Sequence, residues 1–444
     1  MARSRFKQVV DGLVSDIQSG NLRPGTRLPT HRELARRHDL ALATASRVYA
    51  ELARMGLVIG EIGRGTYVRE AFGAQGMACD MLAGLGSGID LNANMPTAFG
   101  QDTQLRRALR HLSQQGDLEA LLLYQPPLGR PQERQLVADY LVQRGVPTDA
   151  GRVALVQGAQ HGLTVALLGA LCPGDAIAVD ALTYPGFRQI AAMLRMEMIP
   201  VPVGPEGTDL QALRTLCSQR RVKAVYCMPT MHNPLGFVLT LQQRQELAAI
   251  ARQHGLLVLE DAAYAYLAAP AVVPVAALAP ERTVYIGGLS KNLATGLRFG
   301  YISAPPAMMG AIERAIRATT VNSPALVTAL VRRWLMDGTV DRMERHRRAD
   351  ARHRQALARR LLEGVALVGH PGSYLLWLPL EGRDRAEAIC QDLHEQGIVL
   401  STAAPFAVGT HVPNALRVAL GTVDPSTLER ALAQVRLRLD QLAG

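Results

Sequence analysis

The chain is poor in aromatic residues, which make up 5% of it with only two tryptophans. It is also poor in cysteine. Cys79, Cys172, Cys217, Cys227 and Cys390 are scattered, odd in number, and lack the spacing of metal ligands. That pattern excludes a disulfide framework and a cysteine-based zinc site, and the five read as reduced thiols that serve as small buried hydrophobes. No apolar run is long enough to span a bilayer, and Met1-Ala-Arg-Ser-Arg does not read as a signal peptide. The expectation is a cytosolic chain with no membrane partner. Acidic residues are the scarcer charge: 38 Asp and Glu stand against 48 Lys and Arg, a formal net charge of +10. A basic balance suits a polyanionic partner without identifying one. What remains is 444 residues, 48% of them hydrophobic, enough for more than one domain with a sizeable core.

The basic excess is uneven. Residues 1–70 hold twelve Lys and Arg against seven Asp and Glu, a net of +5 in the first sixth of the chain. Phe6, Val9, Val10, Leu13 and Ile17 recur at a helical period, which predicts a helix over 3–19. Gly20, Pro24, Gly25 and Pro29 break the chain. Thr30 and Glu33 have the spacing of a capping box and start a short helix through Arg37. After a turn near Asp39, residues 41–55 form a third helix whose inner face is Ala45, Val48, Leu52 and Met55. Leu57–Ile59 and Thr66–Val68 read as strands of a hairpin around Gly60–Gly65. Three helices and a hairpin make a winged helix-turn-helix. Residues 71–88, with five glycines and no periodicity, read as a linker with a helical turn around Met77–Leu85 as the alternative.

From residue 89 onward the pattern is α/β. Apolar runs at 153–156, 176–179, 198–203, 222–228, 256–259, 283–286 and 300–303 alternate with helical stretches, which predicts a mostly parallel sheet. Ligands bind beyond the carboxyl ends of such strands, and residues suited to one cofactor fall there. Ser290-Lys291 follow the run that begins at Thr283, and Arg298 lies seven residues on. A lysine amine can form a Schiff base with pyridoxal phosphate (PLP), and a hydroxyl and a guanidinium can hold its phosphate. Asp261 ends another strand, where a carboxylate can pair with the pyridine nitrogen. Tyr264 and Asn233 can reach the ring oxygen. Gly158-Ala159-Gln160 opens a helix whose amides would meet a phosphate. Tyr184 can stack on the ring.

Two family resemblances rest on these stretches. Leu-Arg-Pro-Gly-Thr-Arg-Leu-Pro-Thr-His-Arg-Glu-Leu-Ala (22–35), Arg-Val-Tyr-Ala-Glu-Leu (47–52) and Gly-Arg-Gly-Thr-Tyr-Val (63–68) resemble the GntR family of DNA-binding regulators. The family's Ser-Arg at the start of its recognition helix is replaced by Ala41-Leu42. The resemblance implies contacts to double-stranded DNA from Arg27, Arg32, Thr44, Arg47 and Arg64. The order of motifs over 90–440 resembles the class I/II branch of fold-type-I aminotransferases. This implies PLP on Lys291, Asp261 on the pyridine nitrogen, Asn233 and Tyr264 on the ring oxygen, and Tyr184 on the ring face. Ser290, Arg298 and the Ala159–Gln160 backbone would hold the phosphate. The same resemblance gives Tyr124 a reach to the cofactor phosphate bound in the partner subunit of a homodimer, and gives Arg417 the α-carboxylate of an amino compound.

The combination resembles the MocR subfamily. It implies a winged helix-turn-helix head (1–70), a linker (71–88) and an aminotransferase-like body (89–444). The body divides into a large part (about 100–320) and a small C-terminal α+β part (about 340–444). The expected function is a PLP-dependent transcriptional regulator that senses PLP or an amino compound. The alternative is an active aminotransferase with an accessory head. The arginines between 342 and 360 read as one face of a long solvated helix, with a second DNA-contacting surface as the alternative.

Overall fold

The structure is a computed structural model that describes residues 5–18, 21–22, 26–54, 57–61, 65–68, 88–95, 97, 99–115, 117–269, 272–381 and 386–443. Arg64, Met55 and the expected linker up to residue 87 lie outside the described residues.

The head contains α1 (Arg5–Gln18), α2 (His31–His38) and α3 (Leu42–Arg54), followed by the antiparallel pair β1 (Val58–Glu61) and β2 (Gly65–Val68). Thr30 and Glu33 form the reciprocal capping box that opens α2. Asp39 ends that helix in the left-handed region at φ 51°, so the chain turns there and α3 can cross α2. Ala45, Val48 and Leu52 are fully buried on the inner face of α3 and pack with Val10, Val14 and Leu34. These elements form a winged helix-turn-helix.

The body is built on a seven-stranded sheet. Its strands in chain order are β3 (Val153–Val156), β4 (Ala176–Asp180), β5 (Glu197–Val201), β6 (Ala224–Cys227), β7 (Leu257–Asp261), β8 (Thr283–Gly288) and β9 (Gly300–Ser303). Their spatial order is β3-β9-β8-β7-β6-β4-β5. All neighbours run parallel except β9, which is antiparallel to both β3 and β8. Helices cover both faces of the sheet, so its central strands are buried throughout and read as continuous apolar runs in the sequence. The carboxyl ends of β6, β7 and β8 lie side by side. A smaller C-terminal part packs around the strands β10 (Leu375–Pro379), β11 (Ser401–Thr402) and β12 (Ala415–Ala419), in the order β10-β12-β11. The body has the fold-type-I α/β architecture. Among the described residues no helix is long and apolar enough to cross a membrane.

Two expectations need correction. Cys227 is buried, but Cys172 is exposed, so the five cysteines are not uniformly buried hydrophobes; Cys79 lies outside the described residues. The arginine-rich stretch is indeed one long helix, Thr339–Leu361, yet it is not simply a solvated face. Arg342, Arg345, Arg352 and Arg360 are exposed, whereas Arg347 and Arg354 are among the most buried side chains in the protein. Arg354 ion-pairs with Asp350 at 2.8 Å and donates to the carbonyls of Leu420 and Val423. Arg347 donates to Thr97 O at 2.7 Å and lies over Phe99. A charge run in sequence carries no sign of which members turn inward.

Removing a buried arginine leaves its acceptors unpaired in a low dielectric. Arg354→Met is expected to destabilise the body by about 3–5 kcal/mol, whereas the exposed neighbour Arg352→Met shifts stability by less than about 0.5 kcal/mol. Urea unfolding of the two variants checks both values.

Candidate functional site

A pocket opens where β6, β7 and β8 end, closed on one side by residues 92–94 and on the other by Ser401, Phe406 and Arg417 of the small part. Asp261, the last residue of β7, is 2% exposed. Its Oδ2 accepts from the Tyr226 hydroxyl at 2.9 Å and its Oδ1 from Ala263 N at 3.0 Å. Burial raises its carboxyl above the ordinary aspartate value, and the two hydrogen bonds oppose that shift. Tyr226 is itself stacked flat on Phe187, with ring centroids 3.8 Å apart. The hydroxyl is therefore aimed before any ligand arrives.

Lys291 follows β8 and half emerges into the pocket, where Nζ donates to the main-chain oxygen of Asn94 at 2.7 Å. Beside it, Ser290 Oγ is buried without a partner, and so is Asn233 Oδ1. The helix α4 (Gly158–Ala170) starts at the same place, with no side-chain cap on its N-terminus. Gly158 has φ +80°, and an added Cβ there would sit 3.0 Å from Arg298 Nη2. Gly300 approaches so closely that its own Cβ would come 2.6 Å from the Gly158 carbonyl carbon. The two glycines let backbone, guanidinium and hydroxyl converge on one point that suits a phosphate.

Tyr184 lines the pocket together with Gln160, and Gly186 leaves the room its ring occupies. Burial raises the Tyr184 phenol, followed by the charges of Asp261 and Tyr264. Tyr264 is 6% exposed and lines the pocket. Arg417, on β12, is 7% exposed. Its Nη2 donates to Asn92 Oδ1 at 3.0 Å, its Nε has no partner, and its guanidinium lies 5.1 Å from the Phe406 ring centre. Burial pulls its pKa down to about 10, against the pull of Tyr264 and Asp90.

Lys291, Ser290, Asp261, Asn233, Tyr264, Tyr184, Ala159, Gln160, Arg298 and Arg417 therefore share one pocket. Tyr124 does not line it. It is 86% exposed and continues an apolar strip with Leu122 and Leu123. Sequence reasoning missed Asn92, Asn94 and Tyr226. Asn92 and Asn94 had a faint signal, an Asn-x-Asn turn after a short apolar run. Tyr226 had none, being one more apolar residue of a buried strand.

On the head, Arg27, Arg32 and Arg47 are exposed and Thr44 is half-buried; Arg64 lies outside the described residues. The guanidinium of Arg47 also lies over the ring of Phe6 on α1, 5.2 Å from its centre, so it has a cation–π contact within the head. His31 and Ser46 join α2 to α3 through a 2.9 Å hydrogen bond.

Residues 87–435 match the family model for aminotransferase class I and II, and residues 6–68 match that for bacterial regulatory proteins of the gntR family. The uncharacterized HTH-type transcriptional regulator YdeF of Bacillus subtilis is 28% identical, covering 98% of this chain and 95% of its own. The HTH-type transcriptional regulator TauR of Rhodobacter capsulatus is 26% identical over 97% of this chain and 95% of its own. The 2-aminoadipate transaminase of Thermus thermophilus is 28% identical, over 74% and 84%. Among solved structures, LysN, the α-aminoadipate aminotransferase of Thermus thermophilus complexed with N-(5'-phosphopyridoxyl)-L-leucine, superposes with a TM-score of 0.75. It is 24% identical and covers 82% of this chain and 95% of its own.

Tyr226→Phe takes one of two donors from the buried Asp261 and so raises that carboxyl further. A carboxyl raised in the folded state loses stability as pH climbs through its titration. The variant is expected to lose about 1–3 kcal/mol at pH 8 and less at pH 5, measured by denaturant unfolding at both values.

Proposed function

This chain belongs to the aminotransferase class I and II family, and from that premise, with a gntR-type head on the same chain, we propose that it is a DNA-binding transcriptional regulator whose body takes up PLP and senses PLP or an amino compound. The division into head (1–70), linker (71–88) and body (89–444) is part of the proposal. The observation that carries it is the concurrence of a winged helix-turn-helix with a lysine pocket that holds buried polar atoms without protein partners. Ser290 Oγ and Asn233 Oδ1 are both buried and unpartnered, and the N-cap residue Gln157 makes no side-chain bond to the first turn of α4. Buried polar atoms without partners are costly unless a ligand supplies them.

In this reading Ser290, Arg298 and the Ala159–Gln160 backbone hold the phosphate. Asn233 and Tyr264 orient the ring oxygen, and Tyr184 covers the ring. Asp261, kept in place by Tyr226 and Ala263, holds a proton at the ring nitrogen, and Lys291 supplies the amine that anchors the group. PLP, when bound, supplies a carbonyl for amine exchange and an electron sink. Arg417 receives a carboxylate at the far side of the pocket, where its burial makes a charge-assisted pair strong.

Leu122, Leu123 and Tyr124 give a homodimer its contact, with Tyr124 reaching the partner's phosphate. Two heads then set the spacing of two half-sites on DNA. Arg27, Arg32, Arg47 and Arg64 meet phosphates or base edges, and Thr44 meets a phosphate or a thymine methyl. DNA as the partner gives a cytoplasmic, nucleoid-bound protein. The transaminase relative and the complete set of cofactor-facing side chains favour a second reading, an enzyme with an accessory head.

Two measurements separate these. Binding of the protein to DNA upstream of its own gene, titrated with and without PLP, is expected to show specific affinity that PLP changes; no binding at low salt in either state makes the aminotransferase reading the stronger. Lys291→Ala is expected to abolish the visible absorbance of bound PLP, and an unchanged spectrum removes Lys291 from the cofactor assignment.

A further inference from the structure

The segment that enters the body directly after the linker runs through the pocket. Gly88 packs against the turn at Gly397 so tightly that an added Cβ would lie 2.8 Å from the Gly397 carbonyl oxygen. Ile89–Asp90 then pair in parallel with Ile398–Val399 of the small part. Leu91 N donates to Val399 O, and Ala419 N donates to Leu91 O. The Asp90 carboxylate accepts from the amides of Asn92 and Ala93 and turns the chain back on itself. That turn presents Asn92 Oδ1 to Arg417 Nη2 at 3.0 Å and Asn94 O to Lys291 Nζ at 2.7 Å. One arm of six residues is thus tied to an anchoring amine and a carboxylate-binding guanidinium at once.

We infer that the arm Ile89–Asn94 is the element that reports occupancy of the pocket to the head, and that Asn92 is its contact with the ligand's carboxylate. The inference rests on the proposed function of the same pocket. Both bidentate faces of a guanidinium use Nη2, through a different N–H on each, and Asn92 holds one of those two N–H bonds. A carboxylate that takes the same face meets the Asn92 carboxamide oxygen as a competing acceptor, so the carboxamide must turn or the arm must shift. Committing the Lys291 amine to a ligand likewise withdraws it from Asn94 O. Asn94 adds a buried Oδ1 without a partner, at 8% exposure, close against Gly421. In chain order the arm is the first described segment of the body after the head, so in this proposal a displacement of the arm is passed to the head along the chain. A ligand moves such an equilibrium only by its differential contacts with two arrangements, and these two contacts supply them.

The test uses the full chain in three states: free, with PLP, and with N-(5'-phosphopyridoxyl)-L-leucine, which carries a carboxylate. Backbone amide hydrogen exchange at Ile89 and Leu91 is followed together with affinity for DNA upstream of the gene, at equal occupancy read from cofactor absorbance. The leucine adduct is expected to speed exchange in the arm about five-fold, the scale of one lost hydrogen bond. Asn92→Ala is expected to raise exchange in the free protein and shrink the adduct's effect on DNA affinity at least about three-fold. Asn92→Asp, which sets a fixed carboxylate against Arg417, is expected to slow exchange and abolish the adduct's effect. Arm exchange that ignores a bound adduct overturns the inference and leaves the cofactor reading standing, as does a full DNA response in both variants. Absence of cofactor absorbance in the unmodified protein sinks the cofactor reading, and the inference with it.

Discussion

One buried carboxylate holds the frame of the pocket. Glu344, on the long helix Thr339–Leu361, is 1% exposed and meets donors from four directions. Tyr140 OH donates at 2.7 Å, Arg144 Nη2 at 2.6 Å and Asn292 Nδ2 at 2.8 Å, and Arg348 lies 3.7 Å away on the same helix. A carboxylate removed from water is costly unless every lone pair is used. The helix, the preceding segment Pro131–Val142 and the turn after β8 must therefore meet at one point. Asn292 is the neighbour of Lys291. Fixing its carboxamide fixes the turn that sends the lysine amine into the pocket.

The same helix explains how the two parts of the body act as one support. Arg347 ties it to Thr97 near the start of the body, and Arg354 ties it to Leu420 and Val423 beyond β12. Tyr374 donates to Asp350 at 2.7 Å and closes the set. Arg417 on β12 and Lys291 after β8 are thus held on opposite sides of one cavity by charges that are largely buried. In that setting the arm 89–94 is the component held to both walls, by one side-chain hydrogen bond to Arg417 and one main-chain hydrogen bond to Lys291.

Much of this was legible from residue order. The head declared itself through the period of Val9, Val10, Leu13 and Ile17 and through the Thr30–Glu33 capping box, because these are local interactions between near neighbours. The pocket declared itself through Asp261, Asn233, Ser290-Lys291 and Arg298, because parallel strands all deliver their carboxyl ends to the same edge. The arm was not legible. Asn94 meets Lys291 across 197 positions and Asn92 meets Arg417 across 325, and an Asn-x-Asn turn carries no sign of its partner. The Tyr226 contact was hidden for a different reason: in a strand buried on both faces, a hydroxyl that serves a carboxylate looks like any other apolar position.

The sequence by itself determined the two-part architecture, the order of strands and helices, and the residue types gathered at the strand ends. Period, capping and strand-end position are set within a few residues. Only the tertiary structure decided which arginines of the long helix are buried, that Tyr124 faces outward, and that residues 89–94 are held by Lys291 and by Arg417. Those outcomes follow from packing between elements far apart in the chain, where burial turns an ordinary hydrogen bond into a constraint that both partners must satisfy.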